Sequence, residues 1–249
     1  MNKTKIEWCD MTWNPVTGCP YCYARKIAER FSGGNDSNAV YERAHCHDCT
    51  QPGDERLREK RYANSGKPFK YGFAPTFHPY RLGEPQRIKE PQNIFVYSMA
   101  DLFGDWVPNE WIKAVFEACE KAPQHRYLFL TKNSVRYRKF QDRQADNMWF
   151  GTTLTGSHDD KDVLGYAGNN TFLSIEPLLS EFKAVNMWKN IRWVIIGCMT
   201  GSMKNKYKPK KEWILNIIES CKSNNTPVFL KNSVIDIIGE KNMIREFPW

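Results

Sequence analysis

The segment Gly18-Cys19-Pro20-Tyr21-Cys22-Tyr23-Ala24 sets two thiols three residues apart at the start of a predicted helix over 23–31. At that spacing both sulfurs can reach one metal ion or iron–sulfur cluster, and a helix N-terminus favours the thiolate form that binds. The same pair is compatible with a thioredoxin-like redox couple or with two unrelated thiols. The redox reading expects a compact βαβ start, which the chain's length and pattern fit poorly. His45-Cys46-His47-Asp48-Cys49 repeats the spacing with flanking histidines. That is half of a zinc site, a place for an auxiliary iron–sulfur cluster, or an unliganded loop, since no second matching pair is evident.

Eight cysteines in 249 residues call for an account. No apolar run approaches the ~18 residues of a membrane span, and the opening MNKTKIEWCDMTWN lacks the apolar core of a signal peptide. The expectation is a cytoplasmic protein with no membrane partner, in which thiols stay reduced and disulfides are disfavoured. Cys119 and Cys221 fall on apolar helix faces and read as core thiols, while Cys198 follows Gly197 at a strand end and stays open. Aromatic residues at 14% exclude disorder as the main state. A formal charge of +8 is compatible with a nucleic-acid or nucleotide partner and equally with a solvated basic surface.

Apolar runs at Met11–Thr17, Pro75–Tyr80, Asn93–Met99, Arg126–Leu130, Met148–Leu154, Thr171–Leu178, Arg192–Ile196 and Pro227–Leu230 read as strands. Helical spacing follows several of them. Pro108-Asn109-Glu110 opens one helix, with Trp111, Ile112, Val115, Phe116 and Cys119 on one face, and Lys211–Lys222 is another. A basic stretch, Ser134–Arg143, is also helix-like. Strands alternating with helices over this length predict an α/β fold, a single (β/α)-barrel, full or partial and TIM-like, across residues 1–249. Residues 32–74 are polar and Gly-containing, and form a predicted insertion after the first helix that could not bury a core of its own.

A parallel barrel places its chemistry at the C-terminal ends of its strands. That rule selects Ser98, Asp101, Thr131 and Ser174 as candidate cofactor contacts, with His78 and Thr153 nearby, and Glu176, Lys132 and Lys231 as candidate catalytic groups. Glu176, between Ile175 and Pro177, is costly to bury unpaired, so an ion pair with Lys132 or Lys231 is the structural alternative to binding or general-base chemistry. Asp10 and Asn14 are placed to orient the cysteine loop. Lys204, Lys206, Lys208, Lys210 and Lys211 surround Tyr207 and could grip phosphates or remain solvated.

Lys5–Cys22 reads KIEWCDMTWNPVTGCPYC, and is followed by FHPYRLGEPQRIKEPQNIFVYSMADLF (Phe77–Phe103), FLTK (Phe129–Lys132), FLSIEPLL (Phe172–Leu179), WVIIG (Trp193–Gly197) and PVFLK (Pro227–Lys231). In this order the blocks resemble a family of phage and prophage proteins of unknown function related to radical S-adenosylmethionine (SAM) enzymes. The resemblance implies a radical SAM barrel, a [4Fe–4S] cluster on three thiolates spaced C-x₃-C-x₂-C, SAM as cofactor and an electron donor as partner. Reductive cleavage of SAM would then yield a 5′-deoxyadenosyl radical that acts on a substrate, for which nucleic acid or nucleotide is the candidate class. On this resemblance Cys19 and Cys22 are cluster ligands and Tyr21 is the adenine contact. The pattern departs where a first cysteine is expected, because Pro15 stands there, and Cys9 is then the candidate third ligand. The alternative is a cluster-deficient, non-catalytic barrel that binds zinc through Cys46 and Cys49, or binds nucleic acid.

Overall fold

Continuous apolar runs become the buried strands of one sheet. The computed structural model describes residues 1–19, 73, 75–143, 145–156, 170–182 and 190–249. Its strands are β1 (Asn2–Lys3), β2 (Met11–Trp13), β3 (Val16–Thr17), β4 (Thr76–Phe77), β5 (Asn93–Val96), β6 (Arg126–Thr131), β7 (Met148–Leu154), β8 (Thr171–Ile175), β9 (Trp193–Ile196) and β10 (Val228–Leu230). Eight of them line up as β1-β2-β5-β6-β7-β8-β9-β10, and β3 pairs with β4 separately. The pairs β2–β5, β7–β8, β8–β9 and β9–β10 are parallel, whereas β1 runs antiparallel to β2. The helices are α1 (Asn109–Glu120), α2 (Lys211–Ser223) and the single turn α3 (Ile235–Ile238). The chain forms two compact units, Met1–Tyr127 and Leu128–Trp249.

In the first unit α1 buries Trp111, Ile112, Val115, Phe116 and Cys119, the face its periodicity predicts. Phe77 of β4 stacks on Trp111 at 5.2 Å, and Phe103 meets Phe116 at 6.3 Å. In the second unit α2 lays Ile214, Ile217, Ile218 and Cys221 into a core with Leu173, Ile175, Val194, Ile196, Val228 and Leu230. Each buried Ile or Leu contributes roughly 1.5–3 kcal/mol by leaving water, so this layer fixes where β8, β9 and β10 end.

The expected barrel, full or partial, is not what forms. Closing one would require the outer edges of β2 and β10 to pair. The edge of β2 is taken by β1, through Asn2 opposite Thr12 and Lys3 opposite Met11. The edge of β10 is taken by the C-terminal segment, where Leu230 N–H donates to Ile244 O at 2.8 Å and Glu246 N–H donates to Val228 O at 2.9 Å. The sheet is therefore open, and among the described residues only α1 and α2 are helices longer than one α-helical turn. Ser134–Arg143, expected as a regular helix, is 3₁₀ with a break at Phe140 (φ −130°, ψ 24°).

Four strands stop earlier than their apolar runs, among them β4, which ends at Phe77. Pro15 divides Met11–Thr17 into β2 and β3. β5 ends at Val96, because Tyr97 takes a left-handed conformation at φ 72°. β8 ends at Ile175, before the cis peptide Glu176–Pro177. The insertion over 32–74 lies outside the described residues, apart from Phe73. Among the described residues no helix is long and apolar enough to cross a membrane.

Candidate functional site at the strand ends

At the C-terminal end of β2 in the first unit, Asn14 is a hub. Its Oδ1 accepts from Met99 N–H at 3.1 Å, and its amide exchanges hydrogen bonds with Ser98 Oγ at 3.2 and 3.3 Å. Its carbonyl accepts from the Arg81 guanidinium at 2.7 Å, and Arg81 O in turn accepts from Trp13 Nε1 at 2.9 Å. The next turn is closed by Gly18, whose N–H donates to Met99 O at 3.0 Å with φ at 90°, a region glycine enters without steric cost. Cys19 follows, 1% exposed, packed among Phe73, Met99 and Trp106.

Neighbouring polar groups of this unit are also engaged. Thr17 Oγ1 lies 2.9 Å from His78 Nε2, and Tyr80 Oη lies 3.4 Å from His78 Nδ1. Asp101 is buried, and its Oδ1 accepts from Phe103 N–H at 3.0 Å, which fixes the turn after β5. Cys9 lies elsewhere. It precedes β2, where Asp10 N–H donates to Asn93 O at 2.9 Å and Asn93 N–H donates to Asp10 Oδ2 at 2.7 Å. Four residues of extended chain separate Asp10 from Asn14, about 13 Å at 3.3 Å per residue, so Cys9 and Cys19 occupy opposite ends of the same strand.

In the second unit three adjacent strand ends converge. Glu176 follows β8, Gly197 follows β9 and Lys231 follows β10. Their backbone N–H groups donate to Leu154 O at 3.1 Å, Ile175 O at 3.0 Å and Ile196 O at 2.9 Å. The Lys231 ammonium donates to Glu176 Oε1 across the end of β9. Gly197 makes room for that pair, since a Cβ there would stand 3.1 Å from Glu176 Cγ and Cδ and from Lys231 Cδ. Of the two partners weighed for Glu176, Lys231 is the one it takes, and Lys132 is exposed. Thr131 and Ser174 are buried, and Thr131 Oγ1 accepts from Asn133 N–H at 2.9 Å.

Cys198 follows Gly197, and its N–H donates to Ser233 Oγ at 2.9 Å. Burial, then the Glu176 carboxylate, push its thiol up to about 11, against a smaller opposing pull from Lys204 and Lys208. Burial pushes the Cys221 thiol up to about 12, and raises Cys119 well above the ordinary range. Burial thus favours the protonated form of all three thiols.

A family model described as a protein of unknown function, DUF5131, matches residues 3–234. The chain belongs to that family. No curated protein and no solved structure matches the chain. The DUF5131 match spans both polar strand-end groups, the Asn14–Ser98–Cys19 group and the Glu176–Gly197–Lys231 group.

The donor chemistry at these strand ends can be set against an iron–sulfur cluster. Cys19 suits a ligand position, with a preorganised loop before it and apolar cover around it. Cys9 does not, because it lies at the other end of β2. Tyr21, Cys22, Cys46 and Cys49 lie outside the described residues, and among the described residues no three His, Cys, Asp or Glu side chains converge as a metal site. Sequence reasoning missed Arg81, Gly197 and Ser233 as positioning residues. Gly197 alone carried a signal, as the glycine that closes the apolar run WVIIG.

Proposed function

We infer that this chain is a radical-SAM-type enzyme that carries an iron–sulfur cluster on the Cys19–Cys22 segment and acts on SAM. The observation that supports it is the placement of Cys19 past the C-terminal end of β2, on a loop pinned by Gly18 and Asn14, where parallel α/β sheets present their ligands. When bound, the cluster supplies the electron that cleaves SAM reductively. The chain's own part is to hold the loop through Asn14, Ser98 and Met99 and to shield the Cys19 sulfur from water with Phe73, Met99 and Trp106. With Cys9 at the wrong end of β2, Cys119 packed under α1, and Cys198 and Cys221 packed in the core beneath α2, Cys46 and Cys49 are the candidates for the third sulfur ligand. Glu176 and Lys231 form a half-open ion pair at the strand ends of the second unit and are the candidate substrate contacts there.

Anaerobic reconstitution with iron and sulfide tests this reading. The expected result is bound iron with a charge-transfer absorption and, with SAM and a reductant, 5′-deoxyadenosine detected by mass spectrometry. Cys19→Ala and Cys22→Ala should abolish both, Cys9→Ala should retain both, and one of Cys46→Ala and Cys49→Ala should abolish both. A folded protein that takes up no iron would overturn the reading.

A further inference from the structure

The loop that leaves β9 rises from the strand end that carries Gly197 and Cys198. Its course is defined. Gly201 turns it at φ 73°, Lys204 N–H donates to Gly201 O at 3.1 Å, and Tyr207 N–H donates to Met203 O at 3.2 Å. Pro209 is buried and anchors its far side, while Lys206, Tyr207, Lys208 and Lys210 around it are exposed.

The charges on this loop are unequal in kind. Lys204 is committed to Asp236 at 2.5 Å. Lys206, Lys208 and Lys210 make no salt bridge among the described residues; Glu212 in the first turn of α2 is the acid nearest in sequence, and Asp236, already paired with Lys204, also acts on Lys208. Lys206 Nζ stands 5.3 Å from the centroid of the Tyr207 ring, and Lys210 Nζ stands 5.8 Å from that of Trp213. Tyr207 is 37% exposed. Lysines without a salt-bridge partner, interleaved with an exposed tyrosine that carries a cation on one ring face, have the make-up of single-strand recognition, in which backbone phosphates meet lysines and a base stacks on the remaining face of the ring. Duplex DNA would use the lysines but not the ring, because its bases already stack on one another. An acidic peptide likewise has no planar group for Tyr207.

We propose that the loop over 201–210 is a binding surface for single-stranded nucleic acid, with phosphates on Lys206, Lys208 and Lys210 and one base stacked on Tyr207. A strand held there passes the end of β9, beside the Glu176–Lys231 pair of the same unit. The surface stands independently of the cysteine loop.

The test is fluorescence anisotropy of a labelled oligothymidine titrated with the full chain across a salt series. Three phosphate contacts at about 0.7 each predict that Lys206→Ala/Lys208→Ala/Lys210→Ala lowers the slope of log affinity against log salt by about 2. Tyr207→Ala should weaken binding about tenfold and Tyr207→Phe should restore it, the size of one lost base stack. The triple variant Lys3→Ala/Lys113→Ala/Lys121→Ala, which removes the same charge from exposed positions elsewhere, should keep the wild-type slope. Cys19→Ala should bind as wild type, which separates this outcome from failure of the iron–sulfur reading. Binding unchanged in the loop variant, indifference to Tyr207→Ala, equal loss in the control variant, or equally tight binding of oligoglutamate would each overturn the proposal. The substituted lysine and tyrosine side chains are exposed, so unchanged melting curves are expected for the loop and control variants.

Discussion

At the C-terminal ends of β2 and β5 the Asn14 side chain spends its hydrogen bonds on a neutral hydroxyl and a backbone amide. At the ends of β8, β9 and β10 the paired groups are charged and half-open to water. Asn14, Ser98 and the Met99 and Gly18 backbone form a closed set of amide and hydroxyl contacts that leaves little to rearrange. Glu176 and Lys231 meet by one charge-assisted contact across a glycine, a geometry that an incoming ligand can replace. A neutral network suits holding a loop in one shape, because breaking it strands buried donors. A single partly solvated ion pair is held by one contact, so new charged or polar contacts can replace it without stranding a buried network. The first edge is held by contacts within itself, and the second keeps a charged pair in reach of water.

The largest expected effect tests what the two regions share, buried thiols. Cys119 in the first unit, and Cys198 and Cys221 in the second, are raised by burial above the ordinary thiol value. The folded state therefore keeps protons that the unfolded chain gives up as pH rises past about 9, and stability falls from there toward the raised folded values. The slope is about 1.4 kcal/mol per pH unit for each thiol that titrates only in the unfolded chain. Urea unfolding at pH 7, 9 and 10 should show a steady loss above 9 and none below. A flat profile across that interval would mean the thiols are more open to water than the packing implies. Glu176→Gln sharpens the contrast. By removing the neighbouring carboxylate it should lower the Cys198 value and speed alkylation there by iodoacetamide, while Cys119 labelling stays unchanged.

The next effect breaks the neutral network. Asn14→Ala leaves Met99 N–H without the Asn14 acceptor and removes the Asn14 contact of Ser98, at a cost of about 1–3 kcal/mol if the amide stays dry. Asn14→Asp keeps the acceptor for Met99 and Ser98 and should recover part of that loss. Both are measurable as shifts in the urea midpoint at unchanged slope. Equal destabilisation by the two variants would show that the Asn14 side chain fills space without organising the loop.

Much of this was legible in the chain and some was not, for physical reasons. β7 matches its apolar run residue for residue, and α2 extends the predicted helix by one residue, because burial on both faces of a strand and one face of a helix writes itself into hydrophobic spacing. Openness of the sheet was not legible. It depends on β1, two exposed residues, and on a C-terminal segment bonded through its backbone, and neither leaves a pattern in residue type. The partner of Glu176 was undecidable from sequence, where Lys132 and Lys231 look alike at strand ends. Strand order alone leaves the tie, since β6 and β10 each lie two strands from β8; the side-chain-free end of β9 at Gly197 lets Lys231 reach across to Glu176. The exclusion of Cys9 likewise needed the direction of β2, since ten residues of separation say nothing about which end of a strand each thiol occupies.

The smallest expected effect concerns Gly197 and decides whether the charged edge depends on it. An added Cβ would stand 3.1 Å from atoms of both Glu176 and Lys231. That is tight contact with two flexible side chains, so the chains should yield and the backbone should not. Gly197→Ala is then expected to cost about 1 kcal/mol in urea unfolding, the low end of overpacking. Contact with the pair also makes the cost conditional. In a Glu176→Ala background the crowding is relieved on one side, and the same substitution should cost less, with a coupling of about 0.5 kcal/mol or more between the two sites. Strict additivity would place the cost in the backbone of β9 and not in the pair. A measured coupling would show that the glycine after WVII is there to let a carboxylate and an ammonium meet over the strand end, the arrangement that separates this edge from the neutral one.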